Sequence, residues 1–266
     1  MSLAGLVGAS AIGAVLFLLP YLGIEPPGGA IAASAALGTV VAFGAVELGS
    51  RRLDAKGIAL LAAIAALAAA MRLALVTGIA GFSPFFLLVL CAGYTFGPSY
   101  GFLAGTVAML VSAIVTGGIG PWLPYQMFAS GWVGMGAGFI GEAMRSWSGR
   151  ISRPTRRDLI ALAGYGFVAG FAYGIVMDLW DWAFFQGSPD LGFVPGLGLA
   201  GTLARFGQFY LLTSAGYDGF RAVGNALLVL ALGTAVLATL ARLQARASFE
   251  IVPIAEPDAV QTVVGS

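Results

Sequence analysis

Residues 57–77 read GIALLAAIAALAAAMRLALVT, with one charge, Arg72. Crossing a bilayer's hydrocarbon core of about 30 Å takes roughly 20 apolar residues at about 1.5 Å each. This stretch is that long, and it has neither the alternation of a strand nor the polar face of a surface helix. It is a membrane span, and the rest of the chain repeats its character. Of 266 residues, 59% are hydrophobic and 9% charged, against about 25% charged in soluble domains. Mean hydropathy is +0.93.

Upstream lie two further apolar runs, Leu3–Leu22 and Ala30–Leu48, separated by the turn Glu25-Pro26-Pro27-Gly28-Gly29. The first has no basic residue before it and no clear cleavage site, so it reads as a retained helix rather than a signal peptide. A polar loop, Arg51–Lys56, precedes residue 57. Downstream, the turn Gly78–Pro84 leads to a short span, Phe85–Phe96, which Gly97-Pro98-Ser99 breaks. Spans follow at Tyr100–Thr116, Trp122–Met144, Leu159–Phe185 and Ala222–Leu240. A connection containing Arg205 and Asp218 reaches to about Phe220, and residues 247–266 read as a disordered acidic tail.

The expected fold is therefore an all-α integral membrane protein with about eight transmembrane helices. Residues 1–50 form a two-helix extension and 57–246 a six-helix core. Ten of the thirteen Lys/Arg fall in Arg51–Lys56, Arg145–Arg157 and Arg242–Arg246. With eight spans these three clusters share one side, which the positive-inside rule makes cytoplasmic along with both termini. Leu197–Gly216 is a possible ninth span, but Arg205 and Gln208 fall at its middle, where charge is costly. It reads as an outer-face helix or re-entrant segment.

Absences bound the chemistry. The chain has no histidine, so HExxH zinc sites, Ser-His-Asp triads and His-ligated haem are excluded. Cys91, the single cysteine, lies in an apolar run and reads as a small buried hydrophobe. A charge of +1 argues against a nucleic-acid surface. No metal or cofactor set is visible, and no enzyme is expected.

Three features stand out from the apolar background. Ala62, Ala66 and Ala70 recur every fourth residue, as do Ala65 and Ala69, and such stripes admit a partner helix; general alanine richness gives the same pattern. In TGGIGPWLPYQM, residues 116–127, glycines and prolines force irregular backbone, which survives at membrane depth only where protein or a water-filled cavity satisfies it. There Trp122, Tyr125 and Gln126 offer a pocket lining, or else an aromatic belt. In DLWDW, residues 178–182, Asp178 and Asp181 form an i, i+3 pair. Carboxylates at such depth suggest either a ligand contact or an ion pair with Arg72, Arg205 or Arg221. Arg72 either snorkels to the interface or lines a polar cavity. Asn225 either bonds across helices or caps the turn after Asp218.

The segments LAAAMRLAL (67–75), GFSPFFLLVLCAGYTFGPSYGFLAG (81–105), SAIVTGGIGPWLPYQM (112–127), GWVGMGAGFIG (131–141) and YLLTSAGYDGFRAVGNALLVLALG (210–233) together resemble the substrate-binding (S) component of energy-coupling factor (ECF) transporters. The likeness covers roughly Gly57 to Arg246. It implies a six-helix subunit of the bacterial cytoplasmic membrane that binds a vitamin or related micronutrient near the outer face. That subunit would dock onto a transmembrane T subunit and two ATPases, which use the ATP. The lack of a Walker A pattern agrees with borrowed energy. The resemblance assigns Ala62, Ala66 and Ala70 to docking and the loop from Gly117 to Gln126 to closure over substrate. Trp122, Tyr125, Gln126, Asp178, Asp181, Trp182, Asn225 and Arg72 are the candidate substrate contacts. The loop favours the cobalamin branch, with riboflavin-like rings, queuosine precursors and other micronutrients as alternatives. Residues 3–48 are extra to the pattern and are expected to be peripheral to binding. The competing readings are a non-transporting membrane scaffold and an intramembrane enzyme using Asp178 and Asp181.

Overall fold

A computed structural model describes residues 3–22, 35, 37–42, 44, 55–73, 82–148, 154–185 and 187–247. Most of the span Ala30–Leu48, the turn at 25–29, the loop from Arg51 to Asp54, much of the turn 78–84, Arg150 and Arg153, and the tail 248–266 lie outside them. The described elements are helices: α1 (Leu3–Leu18, continued by a 3-10 turn at Leu19–Leu22), α2 (Ala55–Leu73), α3 (Phe85–Phe96), α4 (Pro98–Thr116), α5 (Leu123–Ser148), α6 (Arg156–Ala183), α7 (Gly198–Thr213) and α8 (Ala215–Ala247). The described part of 35–44 is also helical.

The chain is an all-α, multi-pass membrane protein. Among the described residues, five helical segments are long and apolar enough to cross a membrane: Ala4–Leu22, Ala55–Leu73, Pro98–Thr116, Arg156–Ala183 and Ala215–Ala245. Their burial differs. In α4, 61% of the most apolar window is inside the protein, against 22% in α2 and in α8. So α4 is the most enclosed of these five segments, and the other two give most of their apolar surface to the surroundings, with Leu67, Leu227 and Leu230 all exposed.

Lipid is as apolar as leucine, so close packing rather than transfer from water must hold such helices together. The α3–α4–α5 layer achieves it with glycine. A Cβ added at Gly101 on α4 would strike the carbonyl oxygen of Gly134 on α5, and one at Gly134 would strike that of Gly101. Gly105 stands likewise over the Ser130 carbonyl, and Gly93 over that of Gly134. Backbones therefore touch directly, and buried Phe102, Phe128 and Tyr94 fill the remaining space.

The end of the bundle near the basic residues is tied by polar contacts. Thr155 caps α6 in a capping box with Asp158. The Tyr94 hydroxyl donates to Asp158 Oδ1 at 2.6 Å, and Arg145 Nη1 donates to the Tyr94 carbonyl at 2.7 Å.

One sequence expectation changes. The last helix begins at Ala215, not near Ala222. Asp218 thus sits in the first turn, where a carboxylate suits the positive end of the helix dipole. The segment before it is helical, as α7, with exposed Leu199, Leu203, Leu211 and Leu212. Arg205, the charge that argued against a ninth span, is held by its own connection: its guanidinium donates to the carbonyls of Gly192 (2.5 Å) and Pro189.

The N-terminal helix is joined to the core. Trp132 Nε1 donates to Ser10 Oγ at 3.2 Å, and Phe17 meets Tyr125 edge to face with centroids 4.9 Å apart. Beyond it, the Tyr21 hydroxyl donates to the carbonyl of Leu179 on α6.

Candidate functional site

At the end opposite Arg145, Arg156 and Arg242, three helix termini border an open cavity of about 350 Å³. The start of α5 contributes Gln126, with Trp122 just before it. The last turns of α6 contribute Tyr173, Gly174, Met177, Asp178, Trp180 and Asp181. Ser214 and the start of α8 contribute Tyr217, Asp218 and Arg221.

Local structure fixes each wall. Gly117 takes φ 68° and ends α4, which lets the chain turn into Trp122. Trp122 Nε1 then donates to the Gly118 carbonyl at 3.2 Å, and its ring meets Trp180 edge-on with centroids 6.4 Å apart. On α6, Gly174 and Asp178 lie one turn apart on one face. A Cβ at Gly174 would overlap the Asp218 carboxylate, so glycine is what lets α8's acid lie against α6. The neighbouring small pair, Gly170 and Ala222, brings the two backbones close enough for this.

The polar groups are only partly matched. Asp218 Oδ1 takes an ion pair with Arg221, whose guanidinium also donates to the Gly170 carbonyl at 3.4 Å and lies 5.1 Å from the centre of the Tyr173 ring. Asp178 Oδ1 accepts from Ser214 Oγ at 2.7 Å. The second oxygens, Asp178 Oδ2 and Asp218 Oδ2, are buried and accept no hydrogen bond. The two residues are 5% and 1% exposed. Asp181 is exposed at the rim. Behind Asp218 stands Tyr210 of α7, where burial first, and then the nearby Asp218 carboxylate, push its hydroxyl up to about 12, keeping it a neutral phenol.

Among the residues singled out from sequence, the cavity gathers Trp122, Gln126, Asp178 and Asp181. The others lie elsewhere. Tyr125 is buried behind the wall, between Phe17 and Trp180. Trp182 turns toward α7, donating to the Leu191 carbonyl at 2.7 Å and packing on Phe206. Asn225 is buried and donates across to the Gly166 carbonyl at 3.2 Å, a cross-helix tie between α8 and α6. Arg72 Nη1 faces α4, 2.8 Å from Met109 Sδ and 3.4 Å from Ser112 Oγ. None of the three arginines suggested as partners for the aspartates bonds to Asp178 or Asp181: Arg221 chooses Asp218.

Sequence reasoning did not assign Tyr173, Gly174, Trp180 or Ser214 to the site. One signal for the first two was available: Tyr173 and Gly174 precede Asp178 by about one helical turn and share its face. The alanine stripes separate cleanly, with Ala65 and Ala69 buried and Ala62, Ala66 and Ala70 exposed on the other side of α2. Comparison with known protein families, with curated proteins and with solved structures finds no match.

Proposed function

We propose that this protein is the substrate-capturing membrane subunit of an ECF-type transporter, taking up a vitamin or related micronutrient at the outer face of the bacterial cytoplasmic membrane. The observation that carries the reading is the cavity itself. It joins aromatic walls to two buried carboxylate oxygens without partners, at the bundle end away from the basic residues. Its size falls within the range of small-molecule pockets, roughly 300–1,000 Å³. A structural scaffold has no use for unsatisfied buried acids, which lower stability.

The orientation follows if α3, α5 and the helix containing residues 37–42 also cross, giving eight spans and placing the basic clusters in the cytoplasm. The sequence resemblance then supplies the partners, a T subunit and two ATPases that hydrolyse ATP. The exposed alanines of α2 offer a flat face for docking. A corrinoid is much larger than the cavity, so a smaller ring compound suits it better than cobalamin.

Native mass spectrometry of the purified protein tests the reading. A stoichiometric small molecule is expected, and Trp122→Ala or Gln126→Ala is expected to weaken its binding by about 1–3 kcal/mol. An empty protein that binds none of a vitamin panel would overturn capture.

A further inference from the structure

The charges around the cavity do not balance. Three carboxylates (Asp178, Asp181 and Asp218) face it with one guanidinium, that of Arg221. That guanidinium is already committed to Asp218 Oδ1, to the Gly170 carbonyl and to the face of Tyr173. An anionic ligand would find no free cation among the lining residues and would instead approach two carboxylates, each with an unpartnered oxygen buried just beneath the wall. A buried acid without a partner is costly, and a positive nitrogen brought by the ligand removes that cost while gaining charge-assisted hydrogen bonds.

A metal ion is the other cation to consider. Among the described residues, no three acidic, histidine or cysteine side chains converge closely enough to hold one. The Tyr173 face is taken by Arg221, and the other aromatic lining residues are the Trp122–Trp180 pair and Tyr217. Such faces attract organic cations through their ring quadrupoles and accept flat rings by stacking.

We propose that the cavity selects a small, flat organic cation, its positive nitrogen drawn to the Asp178 and Asp218 carboxylates, whose Oδ2 atoms lie just beneath the cavity wall, and its ring against Trp122 and Trp180. The inference rests on the capture reading and adds the charge of the substrate. Gly174 is the positioning residue, because it alone leaves room for the Asp218 carboxylate at the α6 face.

The test uses the full-length protein in detergent and three probes of similar shape: benzamidine (cation), benzamide (neutral) and benzoate (anion). Binding is read by tryptophan fluorescence at constant ionic strength. Benzamidine is expected to bind about tenfold or more tighter than the other two. Asp178→Asn is expected to bring benzamidine and benzamide close to parity without lowering the melting temperature by more than a few degrees. Trp122→Ala is expected to weaken benzamidine and benzamide alike. Equal or tighter binding of benzamide or benzoate to the native protein overturns the proposal, as does a cation preference that survives Asp178→Asn. Failure of all three probes to bind overturns it as well. Should Asp178→Asn not fold, Gly174→Ala, which crowds Asp218, is judged by the same loss of preference. A neutral or anionic molecule released from the purified protein would overturn the charge assignment and leave capture standing. An empty protein with no probe binding would bring down both.

Discussion

The α4–α5 contact and the α6–α8 contact both use small residues to bring helix backbones together, yet they end differently. At Gly101 and Gly134 the space saved is filled by the opposing backbone, and the buried interface carries only small hydroxyls, Thr106 bonded within its own helix and Ser130 without a partner among the described residues. At Gly174 the space saved is filled by a carboxylate, and beside it lies a second acid, Asp178, with one oxygen bare. The same device thus makes a rigid seam in one place and a polar recess in another. What decides between them is the facing residue: Gly134 in the first case, Asp218 in the second. Both contacts hold an unpartnered polar atom, but the seam's is one serine hydroxyl, whereas the recess's are carboxylate oxygens, whose burial costs far more.

Variants can break this comparison. Gly134→Leu should have the largest effect. It forces a branched side chain into the Gly101 backbone, and overpacking of this kind costs about 3 kcal/mol or more; loss of the monodisperse peak in size-exclusion chromatography would report it. Gly174→Val should instead spare the fold and strike the site, lowering ligand affinity by about 1–3 kcal/mol through displacement of Asp218. A calorimetric titration beside a thermal melt would separate the two effects. If Gly174→Val proved as disruptive to folding as Gly134→Leu, the α6–α8 contact would be a seam after all.

Smaller effects sharpen the picture. Tyr21→Phe removes the hydrogen bond to the Leu179 carbonyl, which lies between Asp178 and Trp180. A loss of about 0.5–1.5 kcal/mol in stability is expected, with weaker ligand binding as the site wall loosens. Deleting residues 1–22 should weaken binding further, contrary to the expectation that the N-terminal helices are peripheral; unchanged affinity in the deletion would restore that expectation. Smallest of all is Ala66→Trp on the exposed face of α2. It should change the stability of the isolated protein by no more than about 0.5 kcal/mol, yet block co-purification of the transmembrane and ATPase subunits that the proposed function calls for. Normal assembly of the variant would remove this face from docking.

Much of the scaffold was legible in the chain. The run at 57–77, the Gly97-Pro98 break and the basic residues after Met144 each carry a local physical signal: apolar length, backbone freedom or charge. Phe85–Phe96 is a helix with the bounds read from sequence. The start of α8 was misread because Gly216 and Gly219 look like a loop, and only packing against α6 makes that stretch worth keeping helical. The site was half legible. Asp178 and Asp181 were conspicuous as charges in an apolar context, but Tyr125, Trp182, Asn225 and Arg72 looked equally suitable and point elsewhere.

By itself, then, the sequence determined that this is a helical membrane protein, where several of its helices begin and end, and which rare polar residues are worth explaining. Those follow from composition and from spacing along one chain. Only the tertiary structure decided that Asp218 joins Asp178 in one recess, that Arg221 is spent on Asp218, and that the N-terminal helix supports the wall behind. Each of these depends on which faces of non-adjacent helices meet. In a chain so uniformly apolar, hydrophobic periodicity does not mark those faces; the fit of glycine against backbone or carboxylate does.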